Sequence, residues 1–207
     1  MVYYNGYVIL IVEYLKNLNE YEDKFMKKII AKNGKSDYSV VLPKNAHIVE
    51  KTAAEELVSY LEKSLGVKLP TVSEENFSGK GIYIGQSEFA KKNGIVGKSK
   101  ENWIMKMVGD NLVLTGGTKR GERGIIYSVY HFIEDVLGVR WFSPYEEDVL
   151  SLKKLALDSN FEREGTPDFF YRKPLLTEGC GITGYINMVR NRVNSVSPID
   201  DDIPDGP

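Results

Sequence analysis

Two acidic clusters, Glu134-Asp135 and Glu146-Glu147-Asp148, are the groups in this chain best suited to general acid–base work. Paired carboxyls cleave a glycosidic bond when they flank it, one protonated and one ionised. Adjacent residues on a helix point about 100° apart, so Glu134 and Asp135 cannot face one substrate together. They read as a solvated helix face. The Glu146 cluster falls in a stretch without helical spacing and is the more open candidate, against the reading of a solvated acidic turn. Gly116-Gly117-Thr118-Lys119-Arg120-Gly121 precedes a helix and invites an anion-binding loop, because backbone N–H groups at a helix start bind phosphates. The spacing refuses it: Glu122-Arg123 stands where a nucleotide loop needs Lys and Ser/Thr. Trp141, Phe142, Tyr145 and Trp103 have rings that could stack on the C–H faces of sugars, although aromatics after a strand more often fill a core. His131 reads as a boundary side chain, and Cys180 has no histidine near it in sequence to make a nucleophile pair.

Composition narrows the classes. Lys and Arg number 27 against 29 Asp and Glu, for a formal charge of −2. That balance lacks the basic excess that drives nucleic-acid binding. The apolar run Val8 to Val12 is far short of the roughly 20 residues a bilayer requires, and no Lys or Arg precedes it as a leader would need. The default expectation is therefore a cytoplasmic protein with no membrane partner. One cysteine excludes an internal disulfide, and with only two histidines, His47 and His131, a Cys/His zinc site cannot be assembled. No metal or cofactor is expected.

The elements that must position these groups follow from periodicity. Residues 1–25 read as a Tyr-rich appendage. Met26 to Ala31 and Tyr38 to Leu42 look like two strands around the Asn33-Gly34 turn. Thr52-Ala53-Ala54-Glu55 has the capping-box form, and Ala54, Leu57, Val58, Leu61 and Leu65 recur at helical spacing up to Gly66. Gly81 to Gly85 is a short buried strand, Ser87 to Lys92 a short helix, and Asn102 to Val108 with Leu112 to Thr115 a hairpin through Gly109. Ile125, Ile126, Val129, Ile133, Val136 and Leu137 mark a second strong helix, stopped by Gly138. Val139 to Phe142 returns as a strand, Pro144 to Ser151 is a loop, and Gly184 to Arg192 is a short helix. The class is α/β: a mixed β-sheet covered by two main helices, whose faces Leu57/Leu61/Leu65 and Ile126/Val129/Ile133 pack on one sheet.

The ordered set Ala53 to Leu57, Leu65 to Pro70, Ile82 to Gly85, Leu112 to Gly117, Arg120-Gly121, and Gly124 through Tyr127 to Trp141 resembles the N-terminal domain of α-glucuronidase-like glycoside hydrolases of family 67. That domain is similar in fold to the second domain of β-N-acetylhexosaminidases. The resemblance covers about Met26 to Arg172 and implies an α/β accessory domain over residues 26–166, without catalytic residues, leaning on a following (β/α)8 barrel that binds the carbohydrate. Pro167 to Arg172 is similar to the first barrel strand, and Arg190-Asn191-Arg192-Val193-Asn194 to the end of the first barrel helix. By this resemblance residues 167–207 are an incomplete, partly disordered start of a barrel. A full barrel takes about 250 residues, so the chain reads as truncated before its catalytic acids. Arg172 would then stand at the barrel mouth and hold sugar hydroxyls or a uronate carboxylate in a bidentate grip, unless it pairs with Asp168 or Glu178. Trp141 and Tyr145 are the accompanying substrate contacts, and no catalytic residue is expected. The rival readings are a free-standing carbohydrate-binding or interaction module, and a small hydrolase built on Glu146, Glu147 and Asp148.

Overall fold

The structure, a computed structural model, describes residues 27–172 and 181–194. The expected appendage at 1–25, Glu178, Cys180 and the acidic tail from Ile199 lie outside the described residues. The chain runs β1 (Lys27–Lys32), β2 (Tyr38–Leu42), α1 (Ile48–Leu65), β3 (Thr71–Ser73), β4 (Lys80–Ile84) and α2 (Glu88–Lys92). It continues with β5 (Trp103–Val108), β6 (Asn111–Gly116), α3 (Arg123–Asp135), β7 (Arg140–Ser143), β8 (Glu146–Asp148), β9 (Lys154–Asp158), β10 (Glu162–Gly165) and α4 (Gly181–Arg190).

A six-stranded mixed sheet in the order β10-β5-β6-β4-β2-β3 is the frame. Strands β3, β2, β4 and β6 are parallel, and β5 and β10 run antiparallel to their neighbours. Side chains alternate across the strands, so Val40, Ile82, Ile84, Leu112 and Leu114 face one way and meet Leu57, Leu61 and Leu65 of α1 with Ile126, Val129 and Ile133 of α3. Both helical stripes pack on one sheet, as their spacing predicts. Val41, Tyr83, Ile104 and Val113 face the other way, toward Ala90 of α2, where the Phe89 ring stacks on Tyr83 at 4.2 Å. No helix among the described residues is long and apolar enough to cross a membrane.

Four sequence expectations need correction. The segments around Asn33-Gly34 are strands but not a hairpin: β1 pairs with β9, far downstream, while β2 enters the main sheet. Both edges of β2 are taken by β3 and β4, so β1 pairs with β9, whose Leu155 and Leu157 join Ile30 and Ala31 in the core. The first helix starts at Ile48 rather than at Thr52, capped by His47. Residues 144–151 are not simply a loop, because β8 pairs with β7 there. Pro167 to Arg172 forms no strand, and no barrel is seen among the described residues. A strand needs a ladder partner for its backbone groups, and none runs beside this segment among the described residues.

Candidate functional site

In open α/β sheets ligands bind beyond the carboxyl ends of the parallel strands, so the ends of β2, β4 and β6 are the first place to look. There the chain has filled the position with its own polar groups. Glu50, in the first turn of α1, is fully buried. Its carboxylate accepts from the His47 N–H at 2.8 Å and from the Gln86 N–H, just past β4, at 3.0 Å. Gly85 makes room for it: a Cβ there would fall 2.3 Å from Glu50 Oε1. The Gln86 side-chain amide in turn donates to the carbonyls of Gly116 and Gly117 at 2.9 and 3.0 Å. The start of α1 and the ends of β4 and β6 are thereby stitched together.

The glycine loop after β6 is closed in the same way. Glu122 Oε2 accepts from the backbone N–H of Thr118 at 2.5 Å and of Lys119 at 3.0 Å. The donors that a phosphate would need are taken by a carboxylate of the same chain. A surface groove of about 520 Å³ beside β3 is lined by Leu42, Lys44, Asn45, Lys51, Thr71 and Ser73 among others. Its lining holds no acidic residue, so it offers no carboxylate pair. Among the described residues no group of three His, Cys, Asp or Glu comes together as a metal site.

Three of the five candidate acids, Glu134, Asp135 and Glu147, are paired within the chain. Glu147 sits opposite Trp141 in the β7–β8 ladder. It accepts from the Tyr60 hydroxyl at 2.5 Å and from Lys63 Nζ at 2.6 Å. Partial burial opposes ionisation of Glu147, but the hydrogen bonds from Lys63 and Tyr60 outweigh it and hold the carboxyl below the usual range. A general acid needs the opposite shift. Glu146 and Asp148 sit on the same short strand and are exposed. Glu134 is held by Arg192, and Asp135 Oδ2 lies 3.1 Å from His131 Nδ1. His131 stacks on Trp103 at 4.1 Å. Burial first, and then the Arg192 charge, push its imidazole below its ordinary pKa.

Of the expected substrate contacts, Trp141 is buried between Tyr60 and Tyr130, each edge-on at 5.7 Å, and its indole N–H donates to the Tyr60 hydroxyl at 2.8 Å. Tyr145, at the β7–β8 turn, is 81% exposed, and Phe142 is 66% exposed. Arg172 spends its guanidinium within the chain. It donates to Glu101 Oε1 at 2.8 Å, to the Tyr127 hydroxyl at 3.2 Å, to the Arg192 carbonyl at 2.7 Å and to the Phe169 carbonyl. Its acidic partner among the described residues is Glu101, and Glu178, one of the two the sequence suggested, lies outside them. Asn194 completes this latch, accepting from the Arg172 N–H at 2.8 Å and donating to the Phe170 carbonyl at 2.5 Å. Sequence reasoning missed Glu50, Glu56, Glu101 and Tyr60, and it singled out Arg190 to Asn194 only through the family resemblance. A spacing of 71 residues between Glu101 and Arg172 leaves no local signal.

No family model matches the sequence, and no curated protein matches it. Solved structures match in fold. The chain is similar to part of a family GH115 4-O-methyl-α-glucuronidase with specificity for decorated arabinogalactans, at TM-score 0.57 and 17% identity over 76% of this chain and 24% of that one. It also matches a GH20 β-N-acetylhexosaminidase from Streptomyces coelicolor A3(2), at TM-score 0.43 and 11% identity over 71% of this chain and 25% of that one. At these identities the likeness is one of fold, and the chain spans about a quarter of the length of either enzyme. The chain is therefore an α/β domain of a kind found within an α-glucuronidase, as its motif order implies.

Proposed function

We propose that this chain is the accessory α/β domain of an α-glucuronidase-like glycoside hydrolase. In this reading it is non-catalytic and packs beside a (β/α)8 barrel that carries the two catalytic carboxyls and takes uronic-acid-bearing or other plant polysaccharide fragments. The fold match to the GH115 enzyme carries the reading. The pairing of Glu147 with Tyr60 and Lys63, and of Glu134 with Arg192, supports the absence of a catalytic pair in this domain. Purified protein should show no turnover of aryl glycosides or glucuronyl oligosaccharides. Turnover that disappears in Glu146→Gln or Asp148→Asn, two exposed acids without a structural partner in the Tyr60 cluster, would overturn the reading and favour a small hydrolase.

A second reading, a free-standing carbohydrate-binding module, is favoured by the exposure of Phe142 and Tyr145 on one hairpin. Sugar-binding modules offer such rings to solvent. Saturable glycan binding by the isolated chain, lost in Tyr145→Ala with the thermal midpoint unchanged, would select it.

A further inference from the structure

Arg190, at the end of α4, lies in a setting that its helix does not supply. Its Nε and Nη2 donate to the two oxygens of Glu56 on α1 at 2.8 and 2.9 Å, a bidentate fork. Its guanidinium carbon stands 5.4 Å from the centre of the Tyr60 ring and 5.9 Å from the Trp141 ring. Both distances fall within cation–π range. Tyr130 of α3 backs the Trp141 ring edge-on.

These walls are fixed without Arg190. Trp141 donates to Tyr60, Tyr60 donates to Glu147, and Lys63 pairs with Glu147. The walls come from the two main helices, α1 and α3, and from β7, which pairs with β8 in a two-stranded sheet of its own, whereas the occupant comes from α4. The segment that carries it is attached chiefly by polar groups. Among the described side chains of α4 only Val189 packs against the main core, and it is partly buried. Further polar ties run from Arg192 to Glu134 and His131, from Arg123 and Arg172 to the carbonyls of Asn194 and Arg192, and from Asn194 to Glu101 and the Phe170 carbonyl. Interfaces held by charge pairs rather than apolar area open more readily.

We propose that Glu56, Tyr60 and Trp141 form a preorganised receptor for one guanidinium group, which Arg190 fills in cis, so that residues 181–194 form a strap seated through it. The fork selects a guanidinium over an ammonium, because a point charge cannot satisfy both oxygens of Glu56 in one plane while stacking on the rings. This inference is independent of the carbohydrate reading.

The full chain carrying Arg190→Ala tests it, with ethylguanidinium as probe. Amide exchange over residues 183–194 should accelerate about tenfold or more, while residues 125–133 of α3 change less than about twofold. Millimolar ethylguanidinium should then shift the tryptophan emission saturably, and ethylammonium at the same ionic strength should not. The added variant Glu56→Gln should abolish the response. Unchanged exchange over 183–194, an equal response to ethylammonium, or no saturable response would each overturn the proposal. So would failure of Arg190→Ala to fold, because the strap would then be integral to the core.

Discussion

Replacing Glu50 by alanine removes the one carboxylate that ties the start of α1 to the end of β4. Two N–H donors, those of His47 and Gln86, lose their acceptor. The Gln86 donor is buried, with the residue 5% exposed, so water cannot replace the lost partner there. Hydrogen bonds to a charged group contribute about 1.5–3 kcal/mol each, and the loss of a helix cap costs about 1 kcal/mol. The His47 bond is the capping bond itself and is counted once, and its site is partly wet. The expected destabilisation is therefore about 2.5–4 kcal/mol, a large part of the roughly 5–15 kcal/mol that holds a domain of this size together. Urea unfolding followed by far-UV circular dichroism reads it as a lowered midpoint at constant slope. Glu55→Ala is the matched control. Glu55 is exposed and sits in the T-x-x-E motif that the sequence offers as the cap, yet the helix begins earlier. Its loss should stay within about 0.5 kcal/mol. A loss below about 1 kcal/mol for Glu50→Ala, or a loss for Glu55→Ala as large, would refute the argument that Glu50 ties the start of α1 to the end of β4.

Leu61 is fully buried between α1 and the sheet, so Leu61→Ala should cost about 2–5 kcal/mol in the same unfolding experiment, and a cost under about 0.5 kcal/mol would mean that this face is not the core. His131 titrates below its ordinary 6.5 because burial and Arg192 disfavour the cation. A base whose folded pKa is depressed contributes fully above the unfolded value and loses stability as pH falls below it, so the thermal midpoint should decline from pH 6.5 downward and level off beneath the folded pKa. His131→Gln should flatten that decline, and an NMR titration of the ring should give a midpoint under 6.5; a midpoint above it would reverse the assignment.

What the sequence reveals and what it hides divide on physical lines. Both main helices show because their buried faces repeat at helical spacing, and Gly109, at a positive φ of 61°, marks the β5–β6 hairpin. Strand β10 hides because Glu162-Arg163-Glu164-Gly165 has no apolar residue. Its ladder with β5 is supported by Lys106–Glu162 at 2.8 Å and Lys98–Glu164 at 2.7 Å. Hydrophobic periodicity has nothing to register on such an edge strand. The start of α1 misleads because histidine is not a preferred cap residue, while Thr52 to Glu55 imitates one inside the helix. Glu50 escapes because its partners are backbone groups. The N–H of Gln86 has no sequence signature, and only the packing of β4 against α1 brings it within reach.

The aromatic residues show how one residue type takes opposite roles within a few positions. A tryptophan or tyrosine ring offers the same face to a sugar's C–H groups and to a guanidinium, so the type alone cannot assign a partner. What assigns it is the neighbouring polar group. Trp141 has its N–H fixed by Tyr60 and its face turned to Arg190, whose fork is held by Glu56. That combination pairs the indole N–H and the charged groups that meet the ring. Tyr145, four residues on, has its backbone N–H tied to Ser143 Oγ at 3.2 Å in the turn, while its side chain stands largely in solvent. An exposed ring on a turn fixed by pairing on both sides loses little entropy on meeting a flat apolar surface. Carbohydrate contact by this domain would therefore run through Tyr145 and Phe142, and Trp141 would serve it only by holding β7 in place.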